Sequence, residues 1–250
     1  MRIGIIGFGR LGQLLTRYMV KDAHVTVYDT LFEDKEKAPA LIEKANKWGA
    51  KFASLQETCD QQIVIPVVPI SVFEQVIHSI KDYLPENCLV ADVCSVKEYP
   101  LEIMKKHLPL SVSILGTHPM FGPDSASRTV FGTKIVLCPT RLPESTFENI
   151  KTYLESHGMK VIETTPEQHD KQISHSLLLS HLLGRALVDF GAKDLEIDTL
   201  GYRRLMKIIE TAKNDSWQLF DDMNKYNRHA REMRGQFMQT LNEIYTRLDQ

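Results

Sequence analysis

Six residues near the amino end, Gly7-Phe8-Gly9-Arg10-Leu11-Gly12, follow the pattern G-x-G-x-x-G. That spacing serves a sharp turn, a close approach of backbone to a pyrophosphate, and tight packing of a helix on a strand. The helix that follows aims free N–H groups and a partial positive charge at the phosphates. Asp29 lies 17 residues after Gly12. A carboxylate there can accept hydrogen bonds from the adenosine ribose hydroxyls, and it repels a 2′-phosphate. The expected cofactor is therefore NAD in preference to NADP. Arg10 is a counterweight, because a guanidinium beside the loop can serve either phosphate. The expected cofactor contacts are Gly7, Phe8, Gly9, Arg10, Leu11, Gly12, Asp29, Thr30, Val67 and Ser95.

Three further polar segments carry chemistry. The first is Asp92-Val93-Cys94-Ser95-Val96-Lys97. The second is Gly116-Thr117-His118-Pro119-Met120-Phe121-Gly122-Pro123. The third holds His169-Asp170 and, later, Ser180-His181-Leu182-Leu183-Gly184-Arg185. His181 and Arg185 are four apart and share one face of a helix. Each signal alone has a plain structural explanation: a hydrogen-bonded histidine, Ser95 as a helix cap, Arg185 as a surface residue. Together, an imidazole, a hydroxyl and a cation beside a dinucleotide fold suit the oxidation of an alcohol on an anionic substrate.

These segments must be positioned by a scaffold. Short apolar runs at Arg2–Ile6, His24–Tyr28, Ile63–Val67, Leu89–Val93, Ser111–Leu115, Lys134–Cys138 and Lys160–Glu163 read as strands. Helical patterns at Leu11–Val20, Ala38–Trp48, Val72–Tyr83, Pro100–Lys106 and Glu144–His157 alternate with them. This alternation predicts an α/β fold with a doubly wound parallel sheet, whose ligands sit at the carboxyl ends of the strands. Beyond about Pro166 no strand pattern remains. Gln168–Phe190 and Thr199–Ala212 read as helices. From Asp215 onward, apolar residues recur three or four apart, which predicts one long amphipathic helix. The expected division is a dinucleotide-binding domain over 1–165 and an all-α domain over 166–250 that pairs with a second copy.

Composition narrows the function. Hydrophobic residues make up 43% and charged ones 25% of 250, with a net charge of −2. Both signs are interspersed, which argues against a nucleic-acid footprint. Cys59, Cys88, Cys94 and Cys138 form no C-x-x-C pair, so no metal is expected and a reduced, cytoplasmic setting fits. The apolar run Ile63–Ile70 contains two prolines and is too short to span a bilayer, so no membrane association is expected.

The motifs resemble those of the arogenate/prephenate dehydrogenase family of tyrosine biosynthesis, and most closely its plant-like arogenate branch. The likeness runs over nearly the whole chain. It is carried by Gly7–Gly12, Asp92–Pro100, Thr117–Asp124, His169–Asp170, Ser180–Arg185 and the stretch from Ile197 to Asn227. The resemblance implies an oxidative decarboxylation of a cyclohexadienol. His118 would take the 4-hydroxyl proton, and Ser95 would bond the same hydroxyl and steady the nicotinamide. Arg185 would hold a substrate carboxylate, supported by His181 and Gly122. Asp215 would favour the ammonium of arogenate over the keto group of prephenate by Coulomb attraction. Plant-type members commonly use NADP, and Tyr28-Asp29-Thr30 departs from them. The alternatives are a prephenate-specific dehydrogenase, another dehydrogenase with a helical second domain, and a non-catalytic NAD-binding sensor.

Overall fold

A computed structural model describes residues 1–249; Gln250, the last residue of the expected second domain, lies outside them. The chain forms two compact units, the first being Met1–Pro166 and the second starting at Glu167.

The first unit opens with β1 (Arg2–Ile6), α1 (Arg10–Met19), β2 (His24–Tyr28), α2 (Ala38–Trp48), β3 (Lys51–Phe52), α3 (Leu55–Cys59), β4 (Ile63–Pro66) and α4 (Phe73–Ile80). It continues through β5 (Leu89–Asp92), α5 (Glu98–His107), β6 (Ser113–Pro119), β7 (Lys134–Arg141), α6 (Glu144–Ser156) and β8 (Lys160–Glu163). The eight strands form one sheet in the order β3-β2-β1-β4-β5-β6-β7-β8. The doubly wound sheet expected from the alternation is present. Its one departure from parallel pairing is β6 against β7. The order reverses between β1 and β4, the switch point where such sheets take ligands.

The apolar runs become strands because both faces of the sheet are covered, as near-continuous Val and Ile content predicts. Ile3, Ile5, Val25, Val27 and Ile65 join Phe8, Leu15 and Ala45 in one core cluster. Leu89, Ala91, Leu115, Ile135, Leu137 and Phe147 form another. The strand and helix patterns of the sequence do not predict two short elements, β3 and α3. The latter is announced by a capping box, in which Ser54 and Glu57 satisfy each other's backbone N–H.

The regular elements of the second unit among the described residues are helices: α7 (Pro166–Ile173), a π-helical stretch over Ser174–Leu178, α8 (Leu179–Asp189), α9 (Leu200–Asn214), α10 (Trp217–Tyr226) and α11 (Ala230–Leu248). The single helix expected over Gln168–Phe190 is thus continuous but widened by a π turn before His181. The single long helix expected from Asp215 onward is two helices. The break falls at Asn227, whose backbone is extended. Its side chain donates to the Asp170 carbonyl at 2.8 Å and accepts from the His229 N–H at 2.9 Å. A buried amide with such partners offers the backbone a better arrangement than another helical turn. No helix among the described residues is long and apolar enough to cross a membrane.

Candidate functional site

In the first unit the glycine loop leaves β1 at the carboxyl edge of the sheet. Gly7 has φ +104°, and a Cβ there would lie 2.2 Å from the Val67 carbonyl oxygen. A Cβ on Gly12 would lie 2.0 Å from the Gly7 carbonyl oxygen, so α1 can start this close only on a glycine. Gly9 differs, for a Cβ there would meet nothing within 4 Å. The backbone at Gly9 therefore faces open space at the start of α1. No side chain caps that helix, and its first turn carries no acid. This is the cradle a pyrophosphate needs, and the residues fit a dinucleotide.

Asp29 has a role the spacing did not reveal. Its Oδ2 accepts the Phe8 N–H at 2.7 Å and its Oδ1 accepts the Leu31 N–H at 2.9 Å. The carboxylate thus ties the glycine loop to the end of β2, and each oxygen keeps a lone pair for a ribose. Thr30 is exposed at the start of the turn that Asp29 caps. The Phe8 ring packs edge-on against Trp48 and Phe52. Leu11 packs on the same core, so both residues face a ligand only with their backbone. Arg10 pairs with Asp124 at 2.6 Å, both exposed.

The carboxyl ends of β5 and β6 lie on the same edge, since β1, β4, β5 and β6 are parallel neighbours. Asp92 ends β5 and Thr117-His118 lie near the end of β6. A buried polar ring joins them. Lys97 is fully buried, and its ammonium donates to Asp92 Oδ1 and to the Thr117 carbonyl. Thr117 Oγ1 donates to the Asp92 carbonyl at 2.6 Å, and the Cys94 N–H donates to Asp92 Oδ1 at 2.9 Å. Burial pushes the Asp92 carboxyl up, against the lowering pull of the Lys97 ammonium beside it. The segments that carry Ser95 and His118 are held together by this ring. The sequence predicts no role for Lys97, since a lysine is almost never fully buried unless it is paired. Ser95 is half-buried and does not cap α5, whose cap position falls on Lys97. His118 is buried and lies opposite Val136 of β7. The Gly122 N–H donates to Ser125 Oγ at 3.0 Å, so that donor is engaged in its own turn.

The second unit brings His181, Arg185 and Asp215 together. Arg185 Nη2 donates to the Asp215 carbonyl at 2.7 Å. Its guanidinium carbon lies 3.9 Å from the centre of the Trp217 ring and 5.5 Å from that of Phe220. His181 Nε2 is 3.4 Å from Asp215 Oδ2. Among the described residues, the buried atoms His181 Nδ1 and Arg185 Nε have no hydrogen-bond partner. Burial lowers the His181 pKa below its ordinary value, Asp215 opposes this, and Arg185 adds to it. Gly184, between these side chains, has a packing role. A Cβ there would lie 2.6 Å from that of Ala212, so α8 and α9 meet at this point. His169 Nδ1 and Asp170 Oδ1 form a buried pair at 2.7 Å.

The model of the prephenate dehydrogenase nucleotide-binding domain matches residues 16–163, and that of a TYRAAT1-like C-terminal domain matches 186–250. Arogenate dehydrogenase 2, chloroplastic, of Arabidopsis thaliana is 30% identical over 263 residues, covering 100% of this chain and 72% of the relative. Arogenate dehydrogenase 1, chloroplastic, of the same plant is 29% identical over 257 residues, with 99% and 39% covered. The crystal structure of prephenate dehydrogenase from A. aeolicus, in complex with hydroxyphenyl propionate and NAD+, has a TM-score of 0.77 at 21% identity, with 98% and 90% covered. The fold is that of this structure. With one domain model spanning most of the sheet unit and a relative aligned along the entire chain, the protein belongs to the arogenate/prephenate dehydrogenase family of oxidoreductases.

Proposed function

We propose that the protein oxidatively decarboxylates arogenate, and prephenate less efficiently, with NAD as the hydride acceptor. The observation that carries this reading is the common strand edge. The open backbone at Gly9 and the Ser95 and His118 segments all stand at carboxyl ends of neighbouring parallel strands. When bound, NAD supplies the acceptor for the hydride that leaves C4 of the ring. His118 takes the 4-hydroxyl proton, a task suited to an imidazole near its operating pKa. Ser95 bonds the same hydroxyl and limits its orientation, which lowers the entropic part of the barrier. Arg185, stacked on Trp217, offers its fork to a substrate carboxylate. The ring carboxylate then departs as CO2, its bonding pair completes the aromatic ring, and the phenolic oxygen regains a proton. His181 positions Asp215, whose carboxylate attracts the arogenate ammonium.

Asp29 supports NAD over NADP. A 2′-phosphate would stand beside a carboxylate that one oxygen ties to the loop and the other to the turn after β2, and among the described residues no salt bridge pairs a cation with it. The helical unit supports a homodimer. On α11, Leu241, Ile244, Tyr245 and Leu248 are all more than two-fifths exposed and share one face. Light scattering at micromolar concentration checks this, and a monomer there removes the dimer.

The decisive measurement is NADH formation with arogenate and with prephenate, side by side. Arogenate is expected to give the higher kcat/KM. Absence of NADH with both would leave a nucleotide-binding sensor as the better reading. Asp215→Asn is expected to shift the arogenate/prephenate ratio toward prephenate by about two- to fivefold, the scale of one solvent-screened charge contact. An unchanged ratio removes Asp215 as the selector.

A further inference from the structure

Away from the strand edge, two histidines and a glutamate converge on the outer face of the first unit. Glu74 and His78 are four residues apart on α4 and therefore share a face. The other face of α4 is fixed by Phe73, Ile77 and Ile80, all fully buried. His107 is the last residue of α5, which is anchored by buried Ile103 and Met104. Glu74 Oε1 lies 3.2 Å from His107 Nε2, and the rings of His78 and His107 are 4.0 Å apart at 52°. One donor atom from each of the three residues lies within 4.8 Å of the other two.

We propose that Glu74, His78 and His107 form a binding site for a zinc-class divalent cation that clamps α4 to α5. Two imidazoles and one carboxylate are a donor set that zinc takes with its fourth position open to water. Magnesium and calcium prefer all-oxygen sets and are not served by it. In a tetrahedral site with bonds of about 2.0–2.1 Å, neighbouring donors stand about 3.3 Å apart. The Glu74–His107 separation already matches, so His78 needs only a side-chain rotation on the surface. Lys106 Nζ, 3.8 Å from the same Glu74 oxygen, shows that this carboxylate already draws a cation. That lysine side chain is two-thirds exposed and free to swing into water when a metal arrives. The site is independent of the oxidoreductase reading, since none of its residues belongs to the glycine loop or to the Ser95 and His118 segments.

The test is calorimetric titration of Zn2+ alone into the chelator-treated full chain, with Mg2+ as a parallel arm. One equivalent of zinc is expected to bind with a Kd of about 1 μM or tighter, with a rise in Tm at saturating zinc. Glu74→Gln and His78→Gln are each expected to weaken binding at least tenfold and to abolish the rise in Tm. His78 is exposed, so its variant keeps the test valid even if His107→Gln fails to fold. Failure to take up zinc at about 100 μM, equal affinity in the variants, or magnesium uptake matching that of zinc would each overturn the proposal.

Discussion

Lys97 in the first unit and Arg185 in the second are cations held in contrasting ways. Lys97 is fully buried and donates to Asp92 and to the Thr117 carbonyl. Its pairing closes a ring with short contacts, and the strand ends around it are locked before any ligand arrives. Arg185 is held chiefly by aromatic faces and one backbone carbonyl, while its Nε has no hydrogen-bond partner among the described residues. Its neighbour His181 reaches Asp215 only at 3.4 Å and likewise keeps a buried nitrogen without a partner. Both arrangements keep a buried atom without a partner among the described residues, but in the first it is Asp92 Oδ2 while the cation itself is paired twice, whereas in the second it is the cation's own Nε together with His181 Nδ1. On the function proposed above, the contrast teaches a division of labour, in which the strand edge would present the reacting groups and the helical cluster would keep donors for the substrate.

The largest expected effect tests whether the locked edge carries the chemistry. His118→Asn is expected to lower kcat at pH 7 by about 10²- to 10⁴-fold with NAD affinity unchanged. Retained kcat would remove His118 as the base and weaken the division of labour. Next comes the lock itself. Lys97→Met leaves Asp92 buried without its cation, which is expected to cost about 3–5 kcal/mol of stability, read as a lower Cm in urea. A loss below about 1 kcal/mol would mean that the ring is not what holds the edge. The smallest effect belongs to the helical cluster. Because His181 is held below its ordinary value, the unfolded chain binds a proton there more readily than the folded one does. The stability contributed is therefore complete above the unfolded pKa of about 6.5 and is lost as pH falls toward the folded value. Wild type is expected to lose Tm on going from about pH 7.5 to about pH 5.5. His181→Gln is expected to lose less, and equal slopes would contradict the assignment.

Most of the sheet was legible because strands covered on both faces must be apolar throughout, as in Ile63-Val64-Ile65. β3 was not legible, since two residues, Lys51 and Phe52, carry no period of their own. They pair with β2 only because the sheet edge is there. The break at Asn227 was hidden because Tyr226, Ala230 and Met233 keep helical spacing across it. Neither Gly nor Pro marks the stop; the buried amide and its partners do. The glycine loop, Asp29, Ser95, His118 and the His181–Arg185 pair were each visible as residue types at telling positions. The double use of Asp29 and the burial of Lys97 were not, for both depend on strands distant in sequence coming to lie side by side. Gly184 was legible only as a letter in a motif, and its meaning is the contact with Ala212.

The reversal of β7 against β6 shapes how the protein tolerates change. Residues 120–133, which join these strands, start and finish at the carboxyl edge, because Pro119 stands opposite Ile135. This segment is latched to α1 by Arg10 with Asp124, Arg17 with the Ser127 carbonyl, and Tyr18 with the Ala126 carbonyl. The turn at Leu142-Pro143, by contrast, lies at the opposite edge. An insertion or graft there would be felt by α6, by the core on which Leu142 packs and by the Arg141 contacts to the Leu108, Pro109 and Val112 carbonyls, all remote from the glycine loop, whereas a change of length in 120–133 would be transmitted through α1 to that loop. For anyone fusing a tag or a second module within the sheet unit, the safer entry point is the 142–143 turn.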